Sequence, residues 1–368
     1  MEKIREKEDI ILAVLFGYLL LTSFINQTVY DVVGRYASVI VFIVLCFLLF
    51  LHAGEILERK DIKAVAAVIA IVVTGINLIV IGSNKGAFFI PSDLCLICVA
   101  SFYVRLREKT KTYITGLGSI LTILWYSYVR WDYNFNMAGL TFMLFMMMGV
   151  TFLEFLKKEK TYDYLTLAQI LMYVTAFLYA TLYHSRCAMA GILVFGGCIL
   201  IRRLLVSDRL LFTILLILTT AGSVLFTMVY VVLAERGAGG RFLYKDLFSG
   251  RHLIWKELWS AYFAHPITGI GSSYALKSFD IFEVHNGLFD ILVVHGTVVF
   301  FLVLILIAAA MNGAHMGKEN RKIKGFAFAA LFGMLTASFF ENFFTVPPYS
   351  VFFLIFLLAG READSQIS

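Results

Sequence analysis

The sequence predicts an all-α polytopic membrane protein with about twelve transmembrane helices and one large extracytoplasmic loop that carries an amphipathic helix. Three observations carry this expectation. Of 368 residues, 60% are hydrophobic and only 15% are charged, whereas a soluble domain has about 25% charged residues. The apolar residues fall into long runs separated by short polar gaps. Lysine and arginine are concentrated in every second gap, as expected where cytoplasmic loops retain positive charge.

In chain order the apolar segments run over 10–25, 36–52, 62–81, 86–104, 112–130, 136–156, 164–184, 187–201, 210–233, 286–311, 325–340 and 346–360. At about 20 residues per span, twelve spans use roughly 240 residues and exclude a large soluble domain. Residues 1–368 therefore read as one integral membrane domain. Several segments are short for a full span, so one pair is open to a re-entrant reading. The first segment lacks a small-residue cleavage site, which predicts a retained span rather than a signal peptide.

Charge gives the orientation. The gaps assigned inside hold 21 of the 31 basic residues, including Lys3, Arg5 and Lys7, Arg105, Arg107, Lys109 and Lys111, and Lys318, Arg321, Lys322 and Lys324. The short outer gaps hold Arg35, Lys85, Arg130 and Arg186. Both termini are expected in the cytoplasm. The net charge of +6 is thus a topological signal, and no nucleic-acid partner is expected. The five cysteines, Cys46, Cys95, Cys98, Cys187 and Cys198, lie in or beside apolar runs and read as small packing residues rather than a disulfide or zinc framework.

One connection is long. Residues 234–285 form the large extracytoplasmic loop, with Arg236, Arg241, Lys245, Arg251, Lys256 and Lys277 against Glu235, Asp246, Glu257, Asp280 and Glu283. A long loop in a chain of tight turns is where function concentrates. Within it, Arg251 to Ala264 reads as a helix: Ile254, Trp255, Leu258, Trp259 and Tyr262 share one face, which lies at the headgroup level, packs on the bundle, or does both. A breaker-rich turn follows, His265-Pro266-Ile267-Thr268-Gly269-Ile270-Gly271, and then Val284-His285-Asn286-Gly287 opens the tenth segment.

These residues admit a site at the outer surface. Arginine binds phosphate oxygens bidentately and stays charged, which suits Arg186 and Arg251 to a diphosphate headgroup. The alternatives are a snorkelling Arg186 and a solvated Arg251. His285 titrates near neutral pH and suits proton transfer, or else a hydrogen-bonding role at the helix mouth. Asn286 suits a helix cap. Asp290 and His295 read as a polar pair inside the bundle, and Asp93 and Asn77 as groups that satisfy each other or the backbone. Glu341, with Ser338 and Asn342 beside it, orients His285, pairs with an arginine, or is a solvated helix-end acid. No cluster of carboxylates suits a divalent metal, so neither metal nor cofactor is expected, and arginines would have to stabilise a leaving diphosphate.

In combination, Gly250-Arg251-x-x-x-Trp255, His265-Pro266-x-x-Gly269-x-Gly271 and His285-Asn286 followed by an apolar span with Gly296 resemble the signature of the O-antigen ligase and polymerase family, and Ser185-Arg186 is similar to its other arginine motif. The resemblance implies metal-independent glycosyl transfer from an undecaprenyl or other polyprenyl diphosphate-linked oligosaccharide, at the outer face of the bacterial cytoplasmic membrane. Under it Arg186 and Arg251 bind the diphosphate and His285 activates the acceptor hydroxyl. Asn286, Glu341 and Trp255 complete the expected substrate-binding set. Membrane lipids, a chain-length regulator and a flippase are the implied partners. His295 departs from the pattern, since a less polar residue usually precedes the glycine. A polymerase of O-antigen, capsule or exopolysaccharide type is the leading expectation. A ligase passing the glycan to lipid A core or another envelope acceptor is the alternative, and a flippase or transporter a more distant third.

Overall fold

The computed structural model describes residues 2–23, 32–128, 135–157, 163–242, 245–246, 248–277, 284–315 and 321–361. Arg130, Lys158, Lys160, Lys318, Asp280 and Glu283 lie outside the described residues.

The chain is all-α apart from a two-residue hairpin, Arg241–Phe242 paired antiparallel with Lys245–Asp246. The helices are α1 (Glu2–Ser23), α2 (Ala37–Phe50), α3 (Ala53–Arg59), α4 (Ile62–Ile81), α5 (Lys85–Tyr103), α6 (Glu108–Tyr128), α7 (Phe135–Leu156) and α8 (Asp163–Leu182). They continue with α9 (Arg186–Leu200), α10 (Arg202–Ser207), α11 (Arg209–Thr219), α12 (Ala221–Glu235), α13 (Arg251–Ala264), α14 (Gly287–His315), α15 (Arg321–Ala337) and α16 (Tyr349–Gly360). Caps mark several ends as the sequence chemistry requires. Asp61 accepts from Lys63 N at 2.9 Å to start α4, Asn84 accepts from Gly86 N at 3.0 Å to start α5, and Gly82 closes α4 at φ 71°.

Every predicted apolar segment coincides with a helix or a bent pair of helices, but fewer than twelve qualify as spans. Among the described residues five helices are long and apolar enough to cross a membrane, or seven if each bent pair counts as one span. The shortfall has physical causes. The first eight residues of α1 carry seven charged ones, α6 opens with Glu108, Lys109 and Lys111, and α15 carries Arg321, Lys322 and Lys324. Helix α9 has 15 residues and α16 only 12, short of the ~20 that cross a hydrocarbon core. The bent pairs are α2 with α3, turned by 65°, and α11 with α12, turned by 47° at Thr220.

Burial separates centre from rim. The apolar stretch of α7 is 83% buried, against 22% for α4 and for α8. All twelve residues of α16 are buried, and α15 packs between it and α9. A helix that is apolar on every side and still buried belongs inside a helical bundle, whereas α4 and α8 present apolar side chains outward as a lipid-facing helix does. Cys95, Cys98, Cys187 and Cys198 are buried in the core, and all five cysteines are free.

Helix α14 is broken at Gly296, which has φ 82° and ψ 175°. The break frees carbonyls that a continuous helix would satisfy, and the His265–Gly271 turn supplies the partners. Ile270 N donates to Val293 O at 2.9 Å, Gly271 N donates to Val294 O at 3.1 Å, and Thr297 N donates to Pro266 O at 2.9 Å. Asn77 on α4 completes the arrangement, since its amide donates to Thr268 O and to His295 O, each at 3.0 Å. Asn77 therefore satisfies backbone groups rather than Asp93. Non-helical backbone inside a bundle is tolerated on this condition, that protein groups replace the lost bonds.

Candidate active site

The three chain segments flagged for arginine and histidine meet at one end of the bundle. Helix α8 ends at Leu182 in a left-handed turn at His184, φ 51°. Ser185 N reaches back to Ala180 O at 2.9 Å, a C-terminal capping bond that satisfies an orphan carbonyl and reverses the chain. Arg186 then opens α9. Its guanidinium donates to Asp246 O at 3.0 Å and to Ser249 Oγ, so it fastens the long loop to the bundle. Ser249, φ 47°, and Gly250, φ 78°, are both left-handed and turn the chain into α13, whose first residue is Arg251.

Glu341 is the hub. It follows α15 in an irregular segment, where Ser338 Oγ donates to Glu341 O at 3.1 Å and Phe343 N donates to it at 2.8 Å. Its Oε1 accepts from Arg251 Nη2 at 2.7 Å and from Asn136 Nδ2 at 3.0 Å. Its Oε2 lies 3.2 Å from His285 Nδ1. The side chains of Arg251 and Glu341 are 12% and 9% exposed, against 23% for His285. The pair is thus largely dry while the imidazole reaches solvent. Burial by itself would raise the Glu341 carboxyl, but the hydrogen bond from His285, the Arg251 charge and the Asn136 amide hold it below its ordinary value.

Among the described residues, three of the four positive-φ residues other than glycine are His184, Ser249 and His285, all in this cluster; the fourth, Lys60, is a helix cap. Such conformations cost energy and collect where surrounding structure imposes them, functional sites above all.

Asn286 is a cap, as its residue type suggested. Its Oδ1 accepts from Phe289 N at 2.9 Å, and its Nδ2 donates to Ser223 O and Phe339 O, each at 3.1 Å. It is fully buried, so it positions α14 and its neighbour His285 instead of reaching a substrate. Trp255 corrects the expectation more sharply. It is fully buried, its Nε1 donates to Val284 O at 2.7 Å, and its ring packs 4.8 Å from Tyr230. The apolar face of α13 therefore closes the bundle, because Ile254, Trp255, Leu258 and Tyr262 all point inward. Trp255 thus faces the interior of the bundle and exposes no surface. Asp290 and His295 are both buried in α14, and no hydrogen bond or ion pair joins them among the described residues.

Asn136 and Tyr230 were not singled out from the sequence. Asn136 stands at the outer start of the 136–156 segment, on the side assigned to Arg186, which is the one signal that points to it. The Tyr230 hydroxyl lies within electrostatic reach of both Arg186 and Arg251. Two arginines against one glutamate leave an excess of positive charge beside the His285 imidazole, an arrangement that suits an anion beside a proton acceptor. Among the described residues no three His, Cys, Asp or Glu stand together as metal ligands. Comparison of the chain with protein-family models, curated proteins and solved structures yields no match.

Proposed function

We propose that the protein is a membrane glycan polymerase, joining polyprenyl-diphosphate-linked oligosaccharide units at the outer face of the bacterial cytoplasmic membrane. The proposal includes the twelve-segment topology, with helices too short or too charged to qualify singly held in place by the bundle around them, and both termini inside. The observation that carries the reading is the Arg251–Glu341–His285 cluster, where one buried carboxylate holds a permanent cation and an imidazole side by side.

The chemistry follows from that pairing. Glu341 accepts the Nδ1 hydrogen and fixes the tautomer, so proton transfer falls to His285 Nε2. The acceptor hydroxyl gives its proton to Nε2 as its oxygen bonds to the anomeric carbon of the donor sugar. The bond from that carbon to the diphosphate oxygen breaks, and the departing polyprenyl diphosphate keeps the electron pair. Arg186 and Arg251 stabilise the charge that develops there, a contribution of roughly 10²- to 10³-fold per donor in comparable sites. A transporter would place its charges along a path near the midplane, whereas this cluster gathers at one rim.

The test uses purified protein in detergent or bilayer discs with lipid-linked oligosaccharide, with and without chelator, alongside His285→Ala, Arg186→Ala and Arg251→Ala. A ladder of lengthening lipid-linked glycan, lost in the variants and indifferent to chelator, is expected. Product formed only with a second acceptor would select a ligase instead. Full activity in both arginine variants would remove the mechanism.

A further inference from the structure

A cavity lies at the end of the bundle opposite the Glu341 cluster. It has a volume of about 720 Å³ and sits between α7, α8, α9, α10 and α15. Helix α9 runs from Arg186 in the Glu341 cluster to Leu200 in this cavity, 14 residues or about 21 Å. Helix α7 likewise runs from Asn136 toward Glu154. The cavity therefore belongs to the other membrane face, the one that the basic residues assign to the cytoplasm.

Its two halves differ in chemistry. One end is cationic: Lys157, Arg202, Arg203 and Lys322 against a single acid, Glu154, a net charge of 4 − 1 = +3. Glu154 is already engaged, at 3.2 Å from Lys157 Nζ, and Gln169 donates to it as well. Arg202 is held over the Phe326 ring at 5.6 Å with one hydrogen bond to Ile199 O. Arg203 and Lys322 are exposed and have no ion-pair partner among the described residues. The other end is apolar. Leu193, Ile170 and Leu200 are 56%, 54% and 85% exposed at its mouth, and Gly196 and Gly197 line it beside them. A Cβ on Gly196 would strike the Tyr173 hydroxyl at 2.5 Å, while one on Gly197 would meet nothing within 4 Å. Gly197 is itself exposed, so the missing side chain leaves an open slot on the outer surface of α9 beside the cationic end.

We propose that this cavity binds an anionic phospholipid of the inner leaflet, with its phosphate between Arg203 and Lys322 and an acyl chain along the Gly197 slot. Basic pockets between membrane helices on the cytoplasmic side suit anionic headgroups. A soluble phosphate would use the cationic end and leave the apolar slot unexplained. The exposed leucines at the mouth connect that slot to the hydrocarbon.

Native mass spectrometry of the detergent-purified full chain tests this, with dioleoylphosphatidylglycerol and dioleoylphosphatidylcholine as probes. The wild type is expected to retain phosphatidylglycerol more tightly. Arg203→Gln with Lys322→Gln is expected to lose that preference, weakening phosphatidylglycerol binding on the order of thirty-fold at two cations. A Cβ at Gly197 meets nothing within 4 Å, so Gly197→Leu is expected to fold and, by occupying the open slot, to lose binding of both lipids at this site. Equal retention of the two lipids by the wild type, undiminished binding to Gly197→Leu, or displacement of the lipid by inorganic phosphate would each overturn the assignment.

Discussion

Gly269 and Gly296 meet backbone to backbone: a Cβ on Gly269 would lie 2.6 Å from the Gly296 nitrogen, and one on Gly296 would lie 2.8 Å from the Gly269 nitrogen. Both have positive φ, 74° and 82°. The contact lets the His265–Gly271 turn dock into the break of α14 and take over its hydrogen bonds. Asn286 and His285 stand at the head of the segment that this contact pins.

Gly296→Ala is expected to disrupt that docking. Its φ and ψ lie in a region essentially reserved for glycine, and the new Cβ would fall 2.0 Å from Ile267 O. Strain of about 1–3 kcal/mol adds to the cost of displacing buried backbone. Thermal unfolding in detergent should show a large drop or an aggregated product. A wild-type melting curve would mean that the turn does not seat at the break.

Breaking the buried pair should cost more than deleting it. Glu341→Ala leaves Arg251 without its counter-charge and His285 without its partner, an expected loss of about 3–5 kcal/mol. The double variant Arg251→Met with Glu341→Leu removes both charges and is expected to recover most of that stability while staying inactive. A double-mutant cycle of Arg251→Met, Glu341→Leu and their combination, followed by thermal or chaotrope unfolding, measures the coupling. Additive single effects would show that the two groups do not interact.

The pH dependence follows from the same carboxylate. Its folded-state pKa is lowered, because the hydrogen bond from His285, the Arg251 charge and the Asn136 amide outweigh burial. A depressed acid contributes stability that is fully present above its ordinary value of 4.5 and is lost as pH falls through the lower folded value. The melting-temperature gap between the wild type and Glu341→Gln should therefore shrink on acidification below 4.5. A gap that widens in acid would reverse the sign and refute the pairing.

Local patterns made the helices and half of the site legible. Apolar run length located a helix for each of the twelve segments, since period and composition are properties of neighbouring residues. It could not separate a straight span from a broken one. The 210–233 run conceals the 47° bend at Thr220, and the 286–311 run conceals the break at Gly296, because the groups that satisfy the break come from Asn77 and the His265–Gly271 turn. Glu341 was named as a partner for His285 or an arginine, and it holds both. Asn136 lies 205 residues from Glu341, a separation that no local pattern spans. Trp255 shows a related limit: one amphipathic stripe serves equally for lipid or for a bundle, and only the position of α12, with Tyr230 and Phe226 against the indole, shows that this part of it packs inward.

Trp255 offers the sharpest separation of positioning from contact. Its Nε1 bond to Val284 O holds the residue immediately before His285, whose left-handed φ of 54° is uncommon for a residue other than glycine. Trp255→Phe keeps an aromatic ring against Tyr230 and Phe226 but removes the donor and leaves a buried carbonyl unsatisfied, a cost of about 1–3 kcal/mol. The variant should fold with a modest loss of melting temperature. Its glycan-transfer rate at saturating lipid-linked donor should fall about tenfold or more, as a displaced base lowers turnover, while the concentration for half-saturation stays near the wild-type value. If instead half-saturation shifts and turnover is kept, the indole touches the donor after all and its burial is relieved when substrate binds. Unchanged turnover and half-saturation together would mean that His285 holds its conformation without the indole, through Glu341 and the Asn286 cap alone.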